Sequence, residues 1–266
     1  MVFPRWVWDY IRSSSGEGVY AEVRGWRSEL VAPRYRARPS ISDVTDPCPT
    51  RRSVWLRRVA GVKPSETSAV RLGRIIHALL LEPFRARHAS LEALTRAFDR
   101  IMREYGVGEE LVEGLRGLYE QAVVLAKASI YDGIPVAVEP RIPGAPVGLS
   151  NVVKPDLLVG FIPVEVVYGN GVERKKLALA GYALAIEATL GHPVDFGVVV
   201  RVAGPVNNPT LDWVVVTIDD GLRRRFLDAR DEVARIIENG EDPGRPETCP
   251  STCPFRGVCS LAHSGG

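Results

Sequence analysis

Cysteine is scarce in this chain, with four in 266 residues. Together with the lack of a readable secretory signal, that argues against the dense disulfide framework of small secreted domains and leaves disulfides only to the special case of a hyperthermophile cytosol. Long hydrophobic runs are lacking as well. Even Leu177 to Leu190 is interrupted by Glu187, so no membrane span is expected and the expected location is the cytoplasm. Charge of one sign is also missing: the formal net charge is +2, too small by itself to point to nucleic acid. Lysine is rare at five against twenty-nine arginines, with one glutamine (Gln121) and two methionines. Such a composition fits a hot-living source, and a biased genome would produce it too.

What is present is an ordinary apolar content. Hydrophobic residues make up 45% of a 29.2 kDa chain, enough for one large core or a core with a small accessory domain. Arginines cluster locally, at Arg51, Arg52, Arg57 and Arg58 and again at Arg223 to Arg225; the second group is expected as a solvated helix face. Residues 1–40 show no sustained period and read as a loosely structured lead-in. Thr50 is placed to cap a short helix after Cys48. Helices are expected over Thr67 to Glu82, ending at Pro83, and over about His88 to Tyr105 and Glu109 to Ile130. Strands are expected at Val136 to Glu139, Val152 to Val159 and Ile162 to Tyr168, the last two joined by a tight turn at Gly160. A helix over about Glu173 to Leu190, strands at Val194 to Val202 and Trp213 to Ile218, and a helix capped by Asp219 or Asp220 complete a mixed α/β order.

Three of the four cysteines, Cys249, Cys253 and Cys259, fall within eleven residues, in a stretch whose Pro250, Pro254 and Gly257 suit a wrapped loop; Cys48 stands alone far upstream. Four thiolates suit zinc, whose structural sites are usually built from paired knuckles, and they suit an iron-sulfur cluster, for which one distant ligand plus a late cluster is the better fit. A second group is carboxylate. Asp156 and Glu165 on neighbouring strands would meet at one end of a hairpin within reach of one divalent ion, and Glu139 on the preceding strand could join them. His77, four residues after Gly73 on an apolar helix, could add a nitrogen ligand.

The order Cys48, Gly73-x-x-x-His77, Glu139, Asp156, Glu165, Tyr182, Cys249, Cys253, Cys259 resembles the fourth CRISPR-associated protein family, the RecB-like iron-sulfur exonucleases, and especially their longer archaeal branch of type I-A systems. The resemblance spans about Cys48 to Cys259. It implies a restriction-endonuclease-like (PD-(D/E)XK) α/β core with a helical insertion and a C-terminal iron-sulfur region. The chain would divide into a lead-in at 1–47, a helical region at 48–135, a nuclease-like core at 136–240 and a cysteine region at 241–266 packed back on Cys48. By the same resemblance Cys48, Cys249, Cys253 and Cys259 would bind the cluster, [4Fe-4S] ahead of [2Fe-2S]. His77, Asp156 and Glu165 would hold Mn2+ or Mg2+ with Glu139 in support, and Tyr182 would face substrate. The implied role is trimming or selecting DNA ends for new spacers beside the CRISPR integrase and other adaptation proteins, with single-stranded DNA or DNA ends as substrate. Val167 stands where such nucleases carry a lysine two residues after the strand acid, and Ala178 where a glutamine precedes the tyrosine. Lys175 and Lys176, at the start of the next helix, are the candidates to replace that lysine; Arg51, Arg52 and Arg74 are candidates for DNA phosphate. A catalytically degenerate, DNA-binding scaffold of the same fold is the alternative.

Overall fold

The computed structural model describes residues 2–16, 19–249 and 253–261. Seven helices come first: α1 (Arg5–Gly16), α2 (Ser28–Val31), α3 (Ile41–Val44), α4 (Arg52–Arg58), α5 (Ser68–Arg85), α6 (Leu91–Tyr105) and α7 (Glu109–Tyr131). Strands β1 (Val136–Val138), β2 (Ile142–Pro143), β3 (Val152–Val153), β4 (Leu157–Val159) and β5 (Ile162–Tyr168) follow. Helix α8 (Val172–Leu190), strands β6 (Phe196–Ala203) and β7 (Thr210–Thr217), and helices α9 (Asp220–Asn239) and α10 (Arg256–Leu261) complete the chain.

The main sheet has the order β1-β4-β5-β6-β7. All its pairs are antiparallel except β5 with β6, whose parallel pairing is made possible by the α8 crossover. Side chains alternate across it. Val164, Val166, Val198 and Val200 pack beneath α1, α5, α6 and α7, whereas Val167 and Val199 pack against α8 and α9. Two apolar layers therefore sandwich the sheet. Helix α8 is buried from Ala178 to Glu187, which fits its small, alanine-rich sequence without a polar stripe.

Four expectations change. The lead-in is structured: α1 sends Val7 and Ile11, with Val2 and Phe3 before it, into the core over β7. Helix α5 runs through Pro83 to Arg85, because a proline in the last turn costs a single backbone bond there while its ring and Phe84 are buried. The expected strand from Val152 to Val159 is broken by Lys154-Pro155-Asp156, so β3 pairs with β2 in a separate ribbon and only β4 joins the main sheet. The cap of α4 is Arg51, in the left-handed conformation at φ 62°, while the Thr50 hydroxyl donates to the Gly244 carbonyl at 2.8 Å. By contrast Asp219 does cap α9, accepting from the Leu222 N–H at 2.8 Å.

Arg223 also departs from its expected place. It is fully buried, while Arg224 and Arg225 are exposed. Its guanidinium meets both oxygens of Glu187, at 2.7 and 3.0 Å, and the Val194 carbonyl at 2.8 Å. Arg24 reaches the same Glu187 at 2.8 Å and Asp195 at 2.6 Å. A helix-face pattern of three successive arginines hides this, because on a helix only some of three neighbours can face water.

Candidate active site and thiol cluster

The Lys154-Pro155-Asp156 break places Asp156 just ahead of β4, and the register that pairs Leu157 with Val164 sets Glu165 at the adjoining position of β5. Asp156 is buried. Its Oδ2 accepts from the Val166 N–H at 2.7 Å and lies 2.8 Å from His77 Nε2, which α5 delivers from the opposite layer. Glu165 faces α8, where Lys175 donates to its Oε2. The other oxygen, Glu165 Oε1, is buried and has no hydrogen-bond partner. Tyr182, further along α8, donates its hydroxyl to the Lys154 carbonyl at 3.0 Å.

This arrangement shifts each group. Burial first, and then the charge of Asp156, pushes the Glu165 carboxyl up to about 7 against the opposing pull of Lys175. Burial works against the charged forms of His77 and Lys175, but the carboxylates beside them outweigh it and hold both above their usual values. The Tyr182 phenol is raised well above its usual range by burial and then by Glu165 and Asp156. The site thus combines two carboxylates, an imidazole and an ammonium in a largely dry setting.

His77, Asp156, Glu165, Lys175 and Tyr182 are therefore brought together. Glu139 comes only partway: its N–H donates to the Asp156 carbonyl at 3.0 Å from a left-handed backbone at φ 45°, but its carboxylate turns away to pair with Arg85. Lys176 pairs instead with Glu173 at 2.6 Å. Val167 is buried in the α8 layer, its Cγ2 so near Gly171 that a methyl group there would sit 2.5 Å from it. Lys175 brings an ammonium to Glu165 from the helix instead. Among the described residues, no three His, Cys, Asp or Glu side chains close on one point. The donor set still suits a hard divalent cation, because the bare Glu165 Oε1 and the raised carboxyl mark negative charge in need of a partner.

The four cysteines are all free thiols. Cys259, in α10, is buried with Leu56 and Phe255, and Cys253 and Trp55 pack on the same small cluster. Burial and then the neighbouring Cys253, Cys259 and Cys48 raise the Cys249 thiol, so the early and late cysteines lie within electrostatic reach of one another. Pro250 and the two residues after it lie outside the described residues. Thiols gathered in this way are a donor set suited to a metal centre.

Among the arginines expected at phosphate, Arg52 is 1% exposed. It binds Asp242 through two nitrogens, at 2.8 and 2.9 Å, and donates to the Cys259 carbonyl at 3.2 Å and sulfur at 3.5 Å. A side chain so enclosed belongs to the thiol cluster and not to a surface. Arg51 is half-buried, bonded to the Asp46 carbonyl and 3.6 Å from Glu232. Arg74 is exposed and paired with Glu66 at 2.6 Å. Sequence reasoning missed Arg85, whose only signal was its place one turn beyond the apolar run of α5.

The family model described as CRISPR-associated exonuclease Csa1 matches residues 1–262. A protein of Thermoproteus tenax named CRISPR-associated exonuclease Csa1 is 33% identical over 265 residues, covering 91% of each chain. One of the same name from Saccharolobus solfataricus is 29% identical over 277 residues, covering 91% of this chain and 93% of its own. With a match along nearly its whole length, this chain belongs to the CRISPR-associated exonuclease Csa1 family.

Proposed function

We propose that this protein is a Mg2+- or Mn2+-dependent DNA exonuclease that trims or selects DNA ends during CRISPR adaptation. The observation that carries the reading is the buried, unpartnered Glu165 Oε1 beside Asp156, with Lys175 delivered to the same carboxylate from α8. Asp156, Glu165 and His77 would hold the cation, on a restriction-endonuclease-like core. When bound, it would supply Lewis-acid polarisation of the scissile phosphate and a more acidic water.

The chain's own groups supply the rest. Asp156 is oriented by the Val166 N–H and by His77, so its free lone pairs have one direction available. Lys175, held above its usual pKa, stays an ammonium at neutral pH; it acts by offsetting charge on the phosphoryl oxygens and not as a base. Tyr182 is anchored on the Lys154 carbonyl, which fixes the break that carries Asp156. Cys48, Cys249, Cys253 and Cys259 would hold an iron-sulfur cluster, [4Fe-4S] by preference, that ties α4 to the chain's end, with Arg52 as a buried counter-cation. Partners would be single-stranded DNA or DNA ends, the CRISPR integrase and other adaptation proteins.

Degradation of single-stranded DNA with Mn2+ tests the reading, comparing wild type with Asp156→Ala and Lys175→Ala, together with iron and zinc analysis of anaerobically purified protein. Cleavage abolished by Asp156→Ala is expected. Intact DNA with wild type, in a protein that still binds it, would favour the second reading, a DNA-binding scaffold of the same fold, for which Val167 in place of lysine speaks.

A further inference from the structure

One face of α5 borders a groove of about 430 Å3 lined by Val70, Gly73, Arg74, His77, Ala78, Arg85 and Tyr105. Residues 70, 73, 74, 77 and 78 recur at helical spacing, so they form one stripe. Gly73 leaves the floor bare, since a side chain there would meet nothing within 4 Å. The groove leads to the carboxylates, because His77 both lines it and lies 2.8 Å from Asp156. Two arginines stand along it, 61% and 41% exposed in their side chains, each held by an acid: Arg74 by Glu66, Arg85 by Glu82 and Glu139. Exposed pairs of this kind are weak, so a phosphate can exchange for either acid at little cost.

We propose that this groove is the track by which a single nucleic-acid strand reaches the site, with Arg74 and Arg85 taking successive phosphates and Tyr105 offering an aromatic surface to a base. Its volume is that of a small-ligand pocket, room for about one or two nucleotides. Glu139 acquires a role different from metal ligation: it is the resident counter-ion of Arg85, displaced when phosphate arrives. Its strained backbone donates to the Asp156 peptide, so arrival of a strand at Arg85 is felt next to the site. This inference rests on the DNA reading above for its ligand and adds where on the chain the strand lies and which side chains take its phosphates.

The test is fluorescence anisotropy with a short fluorescein-labelled oligodeoxythymidylate in EDTA, so that binding is read without cleavage. Arg74→Ala and Arg85→Ala should each weaken binding about fivefold and lower the slope of log K against log salt by about 0.7, the value for one lost single-strand phosphate contact. Glu139→Gln should tighten binding about twofold by removing the competing acid. Arg85→Lys should recover most of the salt slope, which a merely structural role would not produce. Arg224→Ala, exposed on α9 and paired with Glu22 away from the groove, serves as control. If both groove variants bind with wild-type affinity and slope, or if a blunt duplex binds better than the single strand and is lost equally on these substitutions, the track is wrong. Binding as described in a protein that never cleaves with Mn2+ would instead sink the nuclease reading and leave the groove standing.

Discussion

Glu187, carried by α8, and Glu165, which faces the same helix from β5, are both buried carboxylates, yet their surroundings are opposite. Glu187 is saturated: Arg24, two nitrogens of Arg223, and the Gly25 and Val194 N–H groups all donate to it within 3.0 Å. Glu165 has Lys175 on one oxygen, while its Oε1 accepts no hydrogen bond and the nearby Tyr182 phenol donates to the Lys154 carbonyl. A fully satisfied buried acid specifies packing, here the docking of the N-terminal segment and α9 onto α8. An acid left half-satisfied, beside a second acid, is poorly placed for stability and well placed to receive a ligand. The two ends of α8 therefore divide the work, one holding the fold together and the other left open to chemistry.

Breaking the saturated end should have the largest effect. Glu187→Ala takes the close carboxylate from the fully buried Arg223 and one of two acids from Arg24, and should cost about 3–5 kcal/mol in denaturant unfolding; a loss below about 1 kcal/mol would dissolve the contrast. Gly25→Ala comes next, since its methyl would sit 1.9 Å from the Leu184 carbonyl oxygen and 2.6 Å from the Ala188 nitrogen, backbone on both sides. It should cost about 1–3 kcal/mol, and an unchanged melting temperature would show that α8 and the lead-in are not locked together.

At the open end the sign reverses. Because the Glu165 carboxyl is raised from 4.5 to about 7 in the folded state, its contribution is complete below pH 4.5 and is lost as pH rises through 7. Metal-free Glu165→Gln should therefore equal wild type near pH 4.5 and exceed it by on the order of 2 kcal/mol above pH 7, with no DNA cleavage. Wild type gaining stability across that window would contradict the assigned environment. The smallest effect sharpens the lysines: Lys175→Met should slow cleavage about tenfold, near 1.4 kcal/mol of barrier, whereas Lys176→Ala, half-buried and paired with Glu173, should leave the rate unchanged.

Much of this was legible locally. Helix spans with strong periodicity, such as Glu109–Tyr131, and the hairpin around Gly160 could be read because each element declares itself within a few residues. The meeting of Asp156 with Glu165 followed from the same short range. Arg52 and Arg223 were misplaced for the complementary reason: an arginine in sequence looks the same whether it faces water or a carboxylate some 36 or 190 residues away. Lead-in helix α1 escaped notice because Trp, Arg and Ser dilute its period, and its apolar face has meaning only once β7 is beneath it.

By itself, then, the chain's order determined the kinds of elements, the alternation that builds a two-faced sheet, and the residue types able to do phosphodiester chemistry. Those depend on periods of two and 3.6 residues and on side-chain chemistry, both local properties. Tertiary structure alone decided which acids are filled and which are left open, that Lys175 and not Lys176 reaches Glu165, and that Glu139 turns to Arg85. Those outcomes turn on burial and on partners contributed by distant segments, and the cost of a buried charge exists only when the segments have closed around it.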